Sequence, residues 1–558
     1  MKLKWNKKRA RNRVLHLEMP RSFTTTLQMF DARSAVQFDA HSVVFDQADI
    51  NTHFWQYVMS FVSPELQIDR FFDKALLPEL LNDFCFFLGE FSKYYGVPLT
   101  PFGFEFDEIA HSSAKIIDAA RNPALQIFAD EYIENLSPNL KINDPNLKIV
   151  SLGVDSANSL IFACIFAKML RDHLPDDTKI ILGKSSYENF SLALRKKDLI
   201  KNKHLENYFD RVIFHEEMFV KEILQLLSVD ETDAVSSDAI SPGKVLNLIR
   251  ESVFLDLLSL PLSRYVCSMP LSRNKCYWNK CSFCVQVKKH LRSFSYEEPF
   301  ELQSAMAELV ALDKCGFKYF LFNDEAVQPA RLRRFCELLE ESPVNIRWTP
   351  RIIADANFKE ELIKRMAKNG CIEVLFGLET VSTRTATAMK KVSHKKSEEQ
   401  LLDMLIRFNR NNINIFLNLI YAFPTESDEE FEATYRFSQQ VKKHIPQISV
   451  QFNKFALFYG SDIFHSPGDF GVEILEEPST LNDIKIIFPY RDCFERSNTA
   501  EPNMRYFAES LDMNETQLEA LKQRKGSLFI YTLYQLNYAS FGMINKDNNN
   551  ENLFRDVI

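Results

Sequence analysis

From residue 262 onward, short apolar runs alternate with amphipathic stretches. "LSRYVCSM" (262–269) is followed by "ELQSAMAELVALDKCG" (301–316), which is apolar at helical spacing and stopped by Gly316. "FKYFLFND" reads as a strand, "ARLRRFCELLEES" as a helix and "VNIRWTP" as a strand. "FKEELIKRMAKNG" is a helix closed by Asn369-Gly370, and "CIEVLFGLE" (371–379) is the next strand. The helix "SEEQLLDMLIRFNRNN" precedes the strand "INIFLNLIYAF". The helix "EEFEATYRFSQQVKKH", opened by acidic residues after Ser427, precedes "ISVQFNKFALF". Six strand-then-helix units predict parallel strands covered by helices, a partial (β/α)6 barrel over residues 261–460.

The N-terminal half has a different rhythm. "SVVFDQADINTHFWQYVMS" (42–60) reads as a strand, then Asp49-Ile50-Asn51, then an aromatic helix. Residues 148–183 read strand, helix, strand, and "DRVIFHEEM" (210–218) is a strand running into a helix. These predict an α/β domain over 1–260 with a doubly wound sheet, interrupted by a Phe-rich, mostly helical insertion at about 64–145. Residues 461–558 form a small C-terminal region that could cover the barrel.

The chain has 558 residues, 46% hydrophobic and 25% charged, with no run of eighteen uncharged apolar residues. No membrane span is expected. A formal charge of −8 argues against a general nucleic-acid binder. The basic start, "MKLKWNKKRARNRVLHLEMP", lacks an apolar h-region and reads as a solvated arm. Ten scattered cysteines without a secretory signal predict reduced thiols and a cytoplasmic protein.

Three of those cysteines crowd one polar segment, "RNKCYWNKCSFCVQ": Cys276, four residues, Cys281, two residues, Cys284. Structural zinc would want four ligands, and the nearest additional donors, Cys267 and His290, fit poorly. Buried unrelated thiols are out of keeping with so many Lys, Arg and Asn neighbours. A 4Fe-4S cluster on three thiolates leaves one iron open for a ligand. In parallel barrels, chemistry gathers at the C-terminal strand ends. Those ends carry Asn323, Asp324 and Glu325, then Arg347 and Arg351, then Gly377 and Glu379, then Pro424.

A long Cys loop ending in Cys281-Ser282-Phe283-Cys284, with "FGLETVSTRTATAMKK" and "NLIYAFPTESDEEF" downstream, resembles the radical S-adenosylmethionine (SAM) enzymes. Two departures are visible. The first cysteine gap is four residues where three is commoner, and Ala422 stands where Gly is usual. The resemblance implies that Cys276, Cys281 and Cys284 hold a 4Fe-4S cluster whose open iron chelates SAM. It implies reductive cleavage of SAM to a 5′-deoxyadenosyl radical that abstracts hydrogen from a C–H bond. Phe283, Asp324, Glu325, Arg351, Glu379 and Pro424 are then expected to line the SAM site. An external electron donor of flavodoxin or ferredoxin type is implied.

The N-terminal half is similar to the cobalamin-binding domain of the B12-binding branch. There the expected Gly-Gly reads Gly183-Lys184, the usual Gly-Glu-Gly-Glu turn reads His215-Glu216-Glu217, and no axial-histidine motif is present. Cobalamin is therefore expected to bind weakly or not at all. The main expectation for the reaction is hydrogen-atom chemistry on a peptide or other natural product, such as epimerisation. Cys493 and Cys371 are candidate hydrogen donors, with Cys315 and Cys336 as helix thiols. The alternative is cobalamin-dependent methylation at carbon. A non-catalytic iron–sulfur or zinc-binding interaction protein is the reading from another class.

Overall fold

The structure is a computed structural model. It describes residues 11–20, 26–28, 30–60, 77–95, 99–100, 103–104, 112–154, 157–184, 195–213, 216–229, 241–258, 262–272, 276–285, 302–391, 393, 396–492, 502–503 and 505–506.

The N-terminal sheet contains β1 (Arg13–Glu18), β3 (Val44–Asp49), β6 (Leu147–Val154), β7 (Lys179–Lys184) and β8 (Arg211–Val212). Its spatial order is β3-β1-β6-β7-β8, and every pairing is parallel. In order of appearance that is 2-1-3-4-5, the flavodoxin-like doubly wound order. Alternate side chains serve opposite faces. Val14, Ile149 and Ile181 pack with Ala35, Phe38 and Phe219 on one side. Leu15, Val150 and Leu182 pack with Phe54, Phe162 and Leu170 on the other.

This sheet corrects one expectation. Residues 13–18 belong to no solvated arm; they form an interior strand between β3 and β6, buried along its whole length. Arg13 can lie there because Asp46 pairs with it and the carbonyls of Leu140 and Lys141 accept from its remaining N–H groups at 2.9 and 2.7 Å. A buried guanidinium needs such full satisfaction.

The insertion is helical as expected, with helices Leu77–Tyr95, Ser113–Ala120 and Pro123–Leu140. A two-rung hairpin, β4 (Leu99–Thr100) and β5 (Gly103–Phe104), is added to them. Aromatic residues of these helices pack edge to face, Phe91 on Phe128 and Tyr132 on Phe54.

The barrel strands form two parallel sheets. One runs β11 (Arg347–Thr349), β10 (Tyr319–Phe322), β9 (Val266–Met269) and β2 (Thr26–Gln28). The other runs β12 (Arg351–Ile353), β13 (Glu373–Glu379), β14 (Asn414–Tyr421) and β15 (Ser449–Lys454). The third predicted strand is thus split at Pro350, which has no N–H to give to a ladder. Trp348 N still donates to Gly370 O at 3.0 Å, so the wall continues across the split. The predicted caps hold: Gly370 has φ +89°, and Ser427 and Glu430 form a capping box.

Two features tie the parts together. β2, from the N-terminal half, extends the barrel sheet beside β9. The C-terminal region contributes β16 (Leu457–Phe458), β17 (Val472–Ile474), β18 (Ile487–Phe488) and β19 (Tyr490–Asp492) as two small antiparallel pairs. Its residues 479–485 then grip the N-terminal half. Arg195, fully buried, donates to Ser479 O and Lys485 O, and Asp483 accepts from Ser113 N at 2.7 Å.

Candidate active site

The Cys loop leaves the end of β9 and is anchored on several sides. Cys276 bridges to Ala326, directly after Asp324 and Glu325. Tyr277 OH donates to Asp355 Oδ2 at 2.7 Å, and Trp278 Nε1 to Lys390 O at 2.7 Å. Ser282 N and Oγ donate to Met389 O and Ala388 O at 3.1 and 2.9 Å. The thiols of Cys276, Cys281 and Cys284 are half-buried on a held loop, unlike the fully buried Cys164, Cys267 and Cys336.

Among the described residues, no three His, Cys, Asp or Glu side chains converge on a point where one metal ion would sit. Ligands of a single tetrahedral zinc have to converge in that way. Thiolates of a cubane cluster need not, because each meets a different iron. The donor set, three thiols on one loop, therefore fits a 4Fe-4S cluster better than zinc.

The strand ends bring two carboxylate–cation pairs to the loop. Glu325 Oε1 lies 3.7 Å from Arg351 Nη1, with both side chains about one-third exposed. Glu379 Oε1 lies 3.1 Å from Lys391 Nζ, with both nearly buried. Burial pulls the Lys391 ammonium down. The Glu379 carboxylate and the thiols of Cys281 and Cys276 outweigh that and hold its pKa above the ordinary value. Lys391 is the functional candidate that sequence reading missed. It lies inside the quoted "TATAMKK" stretch, where a lysine reads as a solvated end and nothing betrays its burial.

Backbone geometry at this end is strained in a directed way. Glu379 sits at φ +69°, beside a register shift between Gly377 and Glu379. A Cβ on Gly377 would lie 3.0 Å from Glu379 Oε1 and 3.6 Å from Lys391 Nζ, so the missing side chain makes the room that the pair occupies. Ala422 also has a positive φ, +60°, which explains why Gly suits this turn.

The structure divides the expected second-strand acidic pair. Asp324 is fully buried and accepts from Leu271 N at 2.6 Å and from Ser272 Oγ. Its carboxylate holds the segment that leads into the Cys loop, whereas Glu325 is partly exposed beside Arg351. Phe283 packs with Met389, Phe423 and Phe455 at the end of the fifth strand, next to the buried Pro424.

The candidate hydrogen donors fare differently. Cys371 lies before β13 begins, at the strand's N-terminal end, and its thiol points to Glu373 O at 3.5 Å. It is buried on the floor, away from the Cys loop. Cys336 is a packing thiol whose pKa burial pushes up to about 12, and Cys315 ends a helix. Cys493 lies outside the described residues.

In the N-terminal sheet, Gly183 stands beside Gly153 in the β6–β7 ladder, near the C-terminal strand ends. Where the resemblance implied Gly-Gly, Gly183 is followed by Lys184 and has Gly153 beside it across the ladder. Ser151 Oγ lies over Gly183, where a Cβ would approach to 2.2 Å, and is 3.1 Å from His16 Nδ1. Ser151 Oγ fills the space that Gly183 leaves, and Ser151 and His16 are both buried, so this glycine makes room for a contact inside the protein. Lys184 is the last residue of β7, and His215 lies outside the described residues.

A parallel barrel with a three-thiol loop at its mouth defines the class, and comparison names it. Residues 274–438 match the Radical SAM superfamily, so the chain carries a radical SAM domain. It is similar to the bacteriochlorophyllide d C-12(1)-methyltransferase of Chlorobaculum tepidum, at 27% identity over 30% of this chain and 37% of that protein. It is also similar to an uncharacterized methyltransferase of Pyrococcus horikoshii, at 24% identity over 34% of this chain and 42% of that protein. The chain thus spans about two fifths of the length of these relatives. Its fold matches apo OxsB, a cobalamin-dependent S-adenosylmethionine radical enzyme, with TM-score 0.50 and 11% identity, covering 96% of this chain and 74% of that one. Among the described residues no helix is long and apolar enough to cross a membrane.

Proposed function

We propose that this protein is a radical SAM enzyme that methylates carbon with the help of cobalamin. One observation carries the reading: a single chain joins a 2-1-3-4-5 parallel sheet to a barrel with a three-thiol mouth. The methyltransferases to which part of this chain is similar favour it over epimerisation. So does the position of Cys371, on the floor away from the loop, where it is badly placed to return a hydrogen.

In this reading Cys276, Cys281 and Cys284 hold the cluster, which when bound supplies the electron that breaks a C–S bond of SAM. Glu325 receives the methionyl ammonium, and Arg351 faces the carboxylate or ribose. Glu379, held by Lys391, receives the ribose hydroxyls. Phe283 and Pro424 flank the adenine and keep water from the cleft. The C-terminal strand ends of the N-terminal sheet would hold the tail of cobalamin, which when bound carries the methyl group to be transferred. The partners are an external one-electron donor and a substrate outside the nucleic acids.

The test is anaerobic reconstitution with iron and sulfide, addition of hydroxocobalamin, desalting, and incubation with SAM and reductant. Corrin retained in proportion to the protein, together with 5′-deoxyadenosine, supports the proposal. Formation of 5′-deoxyadenosine by a protein that keeps no corrin would return the reaction to hydrogen-atom chemistry.

A further inference from the structure

Inside the barrel, the last two strands carry an unexpected row. Leu417, Leu419, Val450 and Phe452 pack outward into the core against the helices. Their neighbours Asn418, Gln451 and Asn453, each only partly buried, therefore face the other way, into the lumen. Asn418 lies directly across the ladder from Gln451, and Ile420 from Asn453. Asn453 Nδ2 donates to Asn418 Oδ1 at 3.4 Å and to Leu419 O at 3.3 Å, both long contacts, which leaves Asn453 Oδ1 and Asn418 Nδ2 for a ligand. The side chain of Gln451 makes no hydrogen bond to a described residue.

The place of this row matters. Asn418 is in register with Gly377, whose bare backbone lies under the Glu379–Lys391 pair. On the opposite wall Leu321 packs with Val266 and Tyr319, flanked across the ladders by Ser268 and Thr349. The ionic groups at the mouth are matched to one another, Glu379 with Lys391 and Glu325 with Arg351.

From this arrangement we infer that Asn418, Gln451 and Asn453 bind a neutral amide group of the substrate, placing its apolar flank against Leu321. The inference rests on the barrel being the reaction chamber proposed above. An amide offers both a donor and an acceptor to a wall of amides, so every group pairs. Among the described residues, the charged groups at the mouth, Glu325, Arg351, Glu379 and Lys391, are already paired with one another, so a charged group would compete with those pairs where an amide need not. The group is either a primary carboxamide or a peptide bond.

The experiment uses the full chain, reconstituted and with SAM present, in saturation-transfer NMR. The probes are acetamide for a carboxamide, N-methylacetamide for a peptide bond, and acetate as the charged counterpart. The expected result is a signal from one or both amides that falls about tenfold in the Asn418→Leu/Gln451→Leu variant, the scale of two lost hydrogen bonds. The stronger probe names the group. Gln451→Glu, at a partly exposed position, is the second variant and should lose the same signal if the double variant misfolds. Amide signals indifferent to both variants, or an acetate signal with the same dependence on Asn418 and Gln451, would overturn the inference. Formation of 5′-deoxyadenosine by the unsubstituted protein is scored separately, so a failure of the radical SAM reading is told apart from a failure of the amide wall.

Discussion

Glu379 and Lys391 form an ion pair of 3.1 Å whose side chains are 13% and 5% exposed, close enough to the thiols of Cys281 and Cys276 to feel their charge. Removing one partner of such a pair leaves the other charge buried and alone. Lys391→Met is expected to cost about 3 kcal/mol of stability, and Glu379→Gln/Lys391→Met to regain most of it. Thermal melts of the three proteins measure both. The single variant should also be harder to reduce, because a positive charge beside the cluster favours the added electron. Spectroscopic titration reads that shift.

Gly377 makes the pair possible. A Cβ there would press on Glu379 Oε1 at 3.0 Å. Gly377→Ala should leave iron content intact while weakening SAM binding about tenfold, the scale of one displaced charge-assisted hydrogen bond. Equilibrium dialysis with labelled SAM decides, and unchanged affinity would detach the pair from the SAM site.

The barrel was legible in the sequence because each unit carries its own signal: helical spacing, a cap, an apolar strand. The Cys loop and the strand-end residues were legible for the same local reason. What escaped depends on pairing. The strand Arg13–Glu18 looked basic because its arginine is neutralised by Asp46, 33 residues away. Gly153 and Gly183 are neighbours only across a ladder. Asp324 resembled a ligand until its contacts with Leu271 and Ser272 were visible. Lys391 and Gln451 declare themselves through burial and facing, which no run of letters encodes.

Ala422 holds φ at +60°, where a Cβ crowds the backbone. Ala422→Gly is expected to raise stability by about 1 kcal/mol without loss of cluster. Denaturant unfolding measures it, and a loss of stability would mean that the methyl group packs more than the turn strains.

Glu430 joins Ser382, Arg384 and Ser427 under the seat of the Cys loop. Burial pushes its carboxyl upward, but Arg384, Ser382 and the Ser427 N–H outweigh that and hold it at about 2. A depressed pKa adds stability above the ordinary carboxylate range, lost as pH falls from about 4.5 toward 2. Glu430→Gln should flatten that acid limb in the metal-free protein and cost about 1 kcal/mol at neutral pH, given the exposure of Arg384. Circular dichroism against pH, with and without the substitution, makes the comparison.

The most direct test of the account is 5′-deoxyadenosine formation by the reconstituted protein and by Cys276→Ala, Cys281→Ala and Cys284→Ala, with iron and sulfide measured alongside. The account predicts about four irons in the unsubstituted protein, product only from it, and loss of the brown chromophore in each variant. Product from a variant at the unsubstituted rate, or a single zinc in place of iron, would contradict it.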